Sequence, residues 1–249
     1  MRPGISSQAH TSREQRLSSG VSRLLGCMCA VLVLMLGAPL HALIWACIYA
    51  TDRGPCFYRA RRLGRGGQAF SMVKYRTMTV GASPLVSSDL KVVTQPDDIR
   101  ITKVGRWLRC GIDELPQAWN ILKGEMAWIG PRPVEPWGLP HYGPVLRERL
   151  LQRPGVTGLA QVLGCRWISS AEGYAIDIWH GRHRGVWLAA WIVAATPLFV
   201  LGWTTIGRRR LERLRKDPEF QQIKRQCEAE FESAWLHGRQ SSLPTVATN

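Results

Sequence analysis

Two adjacent carboxylates, Asp113 and Glu114, lie at the start of a short amphipathic run that closes with Lys123 and Gly124. Pro116 fits the first turn of a helix, because the N–H that proline lacks would have no partner there. The glycine fits the C-terminal end of the same helix. Acidic side chains at a helix N-terminus face the positive end of its dipole, so the pair could serve only as a helix cap.

Arginines lie on both sides of this carboxylate pair. Arg109 lies just upstream, and the Gly-Pro-Arg-Pro segment at residues 130–133 follows the helix as a rigid turn that presents Arg132. Carboxylates beside planar guanidinium groups can hold a divalent cation and a phosphate together. The combination favours a site for a phosphate and a cation over a simple helix cap.

A β-hairpin is predicted upstream of the carboxylates. Residues 56–58 form a short strand in this interpretation, the glycine cluster at residues 64–67 forms a turn, and residues 69–75 form the returning strand. Lys74 and Arg76 then project to the same side, as alternate residues of a strand do. They contact either lipid headgroups or a phosphate at the active site.

The composition indicates an anionic partner and a reducing compartment. The formal net charge of +15 over 249 residues suits a nucleic acid, an anionic membrane or a phosphorylated substrate. No nucleic-acid reader motif is recognisable, and such a binder would leave two apolar stretches unexplained. The seven cysteines are scattered without a Cys-x-x-Cys pair, which argues against a disulfide framework or a zinc site.

Residues 24–49 are long and apolar enough to cross a bilayer. Arginines precede and follow this stretch, and positive charge marks the cytoplasmic side of a membrane, so both ends are expected there. Pro39, near the midpoint, removes an intrahelical hydrogen bond and bends the chain. We therefore predict a re-entrant helix, broken at Pro39, that enters and leaves by the same face. One kinked helix that crosses fully is the alternative.

Residues 186–203 form a second apolar stretch, rich in tryptophan and interrupted by Pro197. Cations at both ends again disfavour a single crossing, and Trp187, Trp191 and Trp203 suit the level of the lipid headgroups. We predict an interfacial, shallowly inserted segment. A second full span is the alternative.

Five ordered segments resemble those of the bacterial sugar transferases that are monotopic polyprenyl-phosphate phosphoglycosyl transferases. They are residues 70–78 (FSMVKYRTM), 100–109 (RITKVGRWLR), 113–117 (DELPQ), 130–133 (GPRP) and 153–162 (RPGVTGLAQV). The resemblance runs from residue 24 to residue 203, and five motifs in order are far more specific than any one of them.

The resemblance implies a phosphoglycosyl transferase that moves a sugar 1-phosphate from a nucleoside-diphosphate sugar, expected to be a UDP-sugar, to undecaprenyl or a similar polyprenyl phosphate. Asp113 would be the nucleophile that carries a phosphosugar intermediate, and Glu114 would bind Mg²⁺. The implied substrate-binding residues are Lys74, Arg76, Arg109 and Arg132. The enzyme would catalyse the first membrane step of a polysaccharide or glycoconjugate pathway.

With this resemblance, the sequence predicts an α+β, mostly helical, monotopic membrane protein with a small β-hairpin and interfacial amphipathic helices. Residues 1–23 form a basic, loosely structured cytoplasmic tail, and residues 24–49 form the re-entrant membrane helix. Residues 50–207 form the catalytic domain, and residues 208–249 form a charged C-terminal helix and tail. The expected location is the cytoplasmic face of a bacterial inner membrane rich in anionic lipids, and a homo-oligomer is compatible with the sequence.

The chain departs from the family pattern at several positions. Arg109 is one residue closer to Asp113 than is usual, which weakens the assignment of its role. Asp177 matches an aspartate of the family, whereas Ala189 replaces a second one. A membrane-associated assembly protein that has lost activity is therefore the rival interpretation. The intact carboxylate pair and Arg132 argue against it.

Overall fold

The N-terminal apolar stretch forms two helices that meet at a sharp bend. In the computed structural model, which describes residues 5–82, 85–86, 92–93, 98–164, 168–203 and 207–240, helix α1 spans Ile5–Leu36 and α2 spans Ala38–Asp52. Their apolar parts are bent by 59°. Pro39 lies in the first turn of α2, where proline is well tolerated. The predicted break is confirmed, and it falls at Gly37, just before the proline.

Two features of these helices bear on membrane attachment. Among the described residues, no single helix is both long and apolar enough to cross a bilayer, but the pair Gly20–Leu36 and Ala38–Thr51 meets both criteria together. Helix α1 already begins at Ile5, so the prediction of a loosely structured tail is wrong from that residue onward. The sequence from Ile5 to Ser19 contains neither proline nor glycine, so nothing local interrupts the helix.

Strands β1 (Phe57–Leu63) and β2 (Ala69–Tyr75) form the predicted antiparallel hairpin. A short 3₁₀ helix, Arg65–Gly67, connects them, and Gly66 and Gly67 have positive φ angles that favour glycine. The first strand is longer than the predicted residues 56–58, because every residue of β1 pairs with a residue of β2.

Two further strand pairs are short. Strands β3 (Leu85–Val86) and β4 (Val92–Val93) are antiparallel, whereas β5 (Ala127–Ile129) and β6 (Gly155–Thr157) are parallel. The Pro-Gly-Val-Thr-Gly run at residues 154–158 has the proline and glycines typical of a turn, but it contains strand β6, which pairs with β5. A Cβ added to Gly155 would lie 2.1 Å from the backbone nitrogen of Gly130, so the pairing requires glycine at this point.

The main hydrophobic core lies among the helices that follow. Their bounds are Pro144–Glu148 (α5), Leu159–Gly164 (α6), Ser170–Arg182 (α7), Val186–Val200 (α8), Arg208–Leu214 (α9) and Pro218–Gln240 (α10). Phe220, Ile223 and Cys227 lie at helical spacing on one face of α10 and are fully buried, with α10 packed against α7. The amphipathic C-terminal helix therefore completes the core and does not present its apolar face to a membrane.

Helix α8 is the second apolar segment. Its 15 residues extend about 22 Å, which is short of a hydrocarbon core of about 30 Å. Trp187 and Trp203, at the two ends of the segment, are exposed, whereas the ring of Trp191 lies 4.3 Å from the guanidinium carbon of Arg210. The length of the helix argues against the alternative of a second full span.

Helix α3 (Lys103–Leu108) packs closely on the chain beyond β2. The side chain of Thr102 caps this helix by accepting a hydrogen bond of 2.9 Å from the N–H of Gly105. A Cβ added to Gly105 would lie 2.0 Å from the carbonyl oxygen of Thr77. The approach of α3 to this backbone thus depends on glycine.

We expect the Gly105→Ala variant to unfold at a lower temperature than the wild type. Its methyl group must push α3 away from Thr77, and overpacking of this kind costs roughly 1–3 kcal/mol. For a chain of this size, each kcal/mol lowers the midpoint by about 2–4 °C, which thermal unfolding in detergent would measure. Gly20→Ala is the control, because no atom lies within 4 Å of an added Cβ there. Equal midpoints for the two variants would contradict the packing argument.

Candidate active site

The carboxylate pair lies in a separate turn before helix α4 (Gln117–Leu122). Asp113 and Glu114 belong to the short 3₁₀ helix Ile112–Glu114, which follows Gly111 with a φ of 105°. Pro116 is the N-cap residue of α4, and no side chain caps that helix. The carboxylates therefore precede the helix, and Pro116 lies just before the first turn in which it was predicted. The simple capping role does not apply to them.

Strand β2 brings a lysine to this turn. Lys74 lies near the end of the strand, which packs against the 3₁₀ helix of the carboxylates. Its ammonium nitrogen is 5.5 Å from the centre of the Tyr58 ring, the residue paired with Lys74 across the hairpin. Burial lowers the pKa of Lys74, and the negative charge of Asp113 is the largest influence that opposes this change.

Asp113 is buried, at 8% exposed, and lies among charges of both signs. Burial and the neighbouring charge of Glu114 raise the pKa of Asp113 to about 6, while the cations Lys74, Arg132 and Arg109 oppose the rise. A carboxylate in this position is mostly ionised at neutral pH yet poorly solvated. A buried, weakly solvated carboxylate is better suited to act as a nucleophile than a carboxylate exposed on the surface.

Two arginines complete the cationic side of the site. Arg132, on the segment 130–133, donates a hydrogen bond of 3.3 Å from Nη1 to Oε1 of Glu114. Arg109, at the C-terminal end of α3, donates from Nε to Oγ1 of Thr77 at 3.3 Å. The structure thus gathers five of the six predicted site residues: Lys74, Arg109, Asp113, Glu114 and Arg132.

Arg76 is the predicted site residue that lies elsewhere. Strand β2 ends at Tyr75, one residue before Arg76. The backbone N–H of Arg76 donates to the carbonyl of Cys56, and its buried guanidinium lies against Gly54. The expectation that Lys74 and Arg76 share one face stays a prediction, and so does a role of Arg76 in substrate binding.

Asn120 positions the lysine strand, and the sequence analysis missed it. This fully buried residue of α4 accepts from the N–H of Val73 at 3.0 Å and donates to the carbonyl of Ser71 at 2.8 Å. It also donates to Oε2 of Glu125 at 2.7 Å. Asn120 thereby fixes β2 against the helix that follows the carboxylates. An asparagine amid the apolar residues of a short helix is the signal that could have found it.

The bent N-terminal helices are anchored to the same site. His41, just after the bend, shares a hydrogen bond through Nδ1 with the hydroxyl of Tyr75, the neighbour of Lys74. The indole N–H of Trp128 donates to the carbonyl of Gly26 at 2.9 Å. A wide, open apolar groove lies between α1 and α2, and Leu115, the residue after Glu114, forms part of its lining. The membrane-type helices and the charged site are therefore continuous.

The two carboxylates of the site are compatible with a Mg²⁺ ion that binds together with a substrate. No cluster of three or more metal-ligating side chains occurs in the part of the chain that the structure describes. Mg²⁺ commonly uses one or two carboxylates and completes its coordination with waters and substrate phosphates. Asp113 and Glu114 meet this requirement, and the described residues contain no cage made of protein side chains alone.

Comparison with known proteins agrees with the geometry of the site. The sequence pattern of a family described as bacterial sugar transferase matches residues 17–202. The chain is 31% identical over 199 residues to an undecaprenyl-phosphate galactose phosphotransferase of Salmonella typhimurium, which covers 75% of this chain and 42% of that protein. It is 37% identical over 160 residues to the exopolysaccharide production protein ExoY of Sinorhizobium fredii, which covers 59% and 71%.

A further relative is named for its donor as well as its acceptor. The UDP-glucose:undecaprenyl-phosphate glucose-1-phosphate transferase of Klebsiella pneumoniae is 33% identical over 174 residues, which cover 66% of this chain and 37% of that protein. The chain thus spans less than half the length of the Salmonella and Klebsiella proteins. The match includes the carboxylate turn and the segments that carry Lys74 and Arg132, because all of them lie within residues 17–202.

Proposed function

Because the chain belongs to the bacterial sugar transferase family, we propose that it transfers a sugar 1-phosphate from a UDP-sugar to undecaprenyl phosphate and releases UMP. The observation that carries this proposal is the buried Asp113 beside Glu114 and within reach of three cations. Two of the relatives named above, those of Salmonella and Klebsiella, are named for transfer to undecaprenyl phosphate, one of galactose phosphate and the other of glucose 1-phosphate. The sugar that this chain uses is left to experiment.

The proposed reaction has two displacements at one phosphorus atom. An oxygen of Asp113 attacks the β-phosphorus of the donor, and the bond from that phosphorus to the bridging oxygen breaks, so UMP leaves. An oxygen of the polyprenyl phosphate then attacks the same phosphorus, forms the pyrophosphate of the lipid-linked product and frees the Asp113 carboxylate. No net proton is consumed if both phosphates react as anions.

The surrounding residues would hold the phosphates during these steps. Lys74, Arg109 and Arg132 present positive charge where the transferred group gains negative charge, in a setting that partly excludes water. Glu114, already paired with Arg132, would hold Mg²⁺, which supplies charge neutralisation when bound. Each cation is expected to lower the reaction barrier without being indispensable, because the others remain in place.

The bent helices support a membrane-bound acceptor. Helices α1 and α2 together have the length and composition of a membrane segment, and their bend lies beside the site strand through His41 and Tyr75. The open apolar groove between them would receive the isoprenoid chain, with its phosphate toward the carboxylates, since Leu115 lines the groove. A monotopic arrangement on the cytoplasmic face of a bacterial inner membrane, with anionic lipids around the basic chain, is part of the proposal.

A panel of nucleotide sugars tests the proposal directly. The full chain in lipid nanodiscs would be given undecaprenyl phosphate, Mg²⁺ and one donor at a time, with UMP and lipid-linked product measured together. We expect both products, in equal amounts, for at least one UDP-sugar. Failure with every donor would favour the rival assembly protein, and UMP release at the same rate without the lipid would indicate a hydrolase.

Removal of divalent metal should stop the reaction. Chelation by EDTA is expected to reduce transfer by at least about 100-fold, because a metal at developing charge contributes several kcal/mol to transition-state stabilisation. Added Mg²⁺ should restore the rate. Titration of Mg²⁺ against the Glu114→Gln variant should then show a higher half-saturating concentration than for the wild type. An unchanged Mg²⁺ dependence in that variant would remove Glu114 as the ligand.

A further inference from the structure

A buried arginine connects the core of the protein to the segment that carries Arg132. Arg149 is 4% exposed and donates from Nε to Oδ2 of Asp177 at 2.8 Å. Its Nη2 donates to the backbone carbonyl oxygen of Arg132 at 2.6 Å. One planar guanidinium thus bridges helix α7, which contains Asp177, and the backbone of a site residue.

The segment 130–133 needs a hydrogen-bond partner from elsewhere to fix it, because its own backbone has few N–H groups with which to form hydrogen bonds. Pro131 and Pro133 flank Arg132 and lack N–H groups. On one side the segment is held by β6, through Gly155 N–H to Pro131 O and Gly130 N–H to Thr157 O, both at 2.9 Å. On the other side Arg149 binds the Arg132 carbonyl. The backbone is fixed while the side chain, 61% exposed, reaches Glu114.

The orientation of Arg149 is itself held by aromatic residues. Its guanidinium carbon lies 4.4 Å from the centre of the Tyr174 ring, and the Tyr174 hydroxyl hydrogen-bonds to that of Tyr142 at 2.6 Å. Phe231 of α10 packs edge-on against Tyr174, with ring centres 5.1 Å apart. Phe231 lies beyond the part of the chain that matches the family, which ends at residue 202. The C-terminal helix therefore contributes to the rigidity of this connection.

Stability alone is a weak reason for this arrangement. Burying an ion pair has a large desolvation cost. Well-packed apolar residues of similar volume often stabilise a protein at least as much as the ion pair does. Apolar side chains cannot donate to the carbonyl of Arg132, and the single ammonium of a lysine lacks the fixed fork that reaches two acceptors at once. The feature that only an arginine supplies here is the second N–H donor, which binds the backbone carbonyl of Arg132.

We infer that Arg149, held by Asp177, is a positioning residue that fixes the backbone of Arg132 and so aims its guanidinium at Glu114 and the transferred phosphate. This inference rests on the function proposed above. Displacement of a binding group by about 1 Å can cost roughly 100-fold in rate, so a residue that never touches substrate can have a large effect.

A double-mutant cycle tests the coupling between the two arginines. We expect Arg149→Lys to lower kcat/KM for the nucleotide sugar by roughly 10–100-fold in the full chain in nanodiscs. In the Arg132→Ala background the same change should cost less than about 3-fold, because the group that Arg149 positions is gone. Losses that simply multiply would overturn the inference. Arg182→Lys is the control, since Arg182 also pairs with carboxylates, those of Glu148 and Glu219, but does so at the surface.

A second variant separates positioning from folding. The double replacement Arg149→Met with Asp177→Leu removes both buried charges together, which is expected to preserve stability. It should nevertheless retain the loss of kcat/KM, because no donor faces the Arg132 carbonyl. Recovery of wild-type activity in this variant would overturn the inference. A wild type inactive with every donor would instead overturn the proposed function, so the two failures are distinguishable.

Discussion

The Asp113→Asn variant is expected to lose sugar-phosphate transfer by at least roughly 10³-fold, because the amide cannot serve as the attacking nucleophile. Without acceptor, the wild type should release one UMP per site in a burst and gain the mass of a sugar phosphate. The variant should do neither. Quenched-flow measurement of UMP with intact-protein mass spectrometry provides the test. Glu212→Gln, an exposed acid-to-amide change on α9, is the control.

The same variant should be more stable than the wild type at pH 7. The pKa of Asp113 is raised to about 6 in the folded protein, above the ordinary value of 3.8. Ionisation is thus harder in the folded state, so the carboxylate destabilises the fold increasingly as the pH rises from about 4 to about 6. Replacement by a neutral amide should recover on the order of 3 kcal/mol. An inactive but less stable variant would leave its inactivity open to a folding explanation and would contradict this account.

The pH dependence of transfer follows from the same carboxylate. The attacking form is the ionised one, which is lost as the pH falls through about 6. For the wild type we expect kcat/KM for the donor to fall by about tenfold per pH unit below that point, because this ratio reports ionisations of the free enzyme. A flat profile down to pH 5 would contradict the assignment of Asp113 as the nucleophile.

The Lys74→Met variant is expected to show the second largest effect. Lys74 is the cation that most strongly opposes the raised pKa of Asp113, and it also faces the phosphates in the proposed reaction. Its loss should reduce kcat/KM by about 10²–10³-fold at neutral pH, similar to the loss of a preorganised donor in other active sites. The acidic limb of the pH profile should move to higher pH, because Asp113 then ionises less readily.

Full pH profiles of the wild type, Lys74→Met and the exposed control Lys216→Met separate these two effects. A loss of rate with the limb unchanged would mean that Lys74 binds phosphate without acting on Asp113. A limb that moves to lower pH would contradict the electrostatic arrangement described here. The control should reproduce the wild-type profile, since Lys216 lies on the surface beyond α9.

The sequence by itself determined the features that depend on neighbours in the chain. The carboxylate pair, the proline-flanked Arg132, the hairpin and the break near Pro39 all follow from local residue types and spacing. The ordered motifs were sufficient to indicate the family, which the comparison bears out. The bounds of single elements were less accurate. Residues 155–157 form a strand because Gly130 and Gly155 allow two backbones to meet, and periodicity does not report that contact.

Only the tertiary structure decided which cationic side chains lie close enough to the carboxylates to affect them. Lys74 and Arg76 are equivalent by alternation, yet the charge of Lys74 acts on Asp113 whereas the buried guanidinium of Arg76 lies against Gly54. Likewise, no local pattern pairs Arg149 with Asp177; only the fold brings α7 to Arg149, which also binds the carbonyl of Arg132. Charge, burial and pKa depend on groups that are distant along the chain and close in space. A local pattern can therefore identify the reacting residues, but the folded arrangement sets their protonation states and the orientation of their side chains.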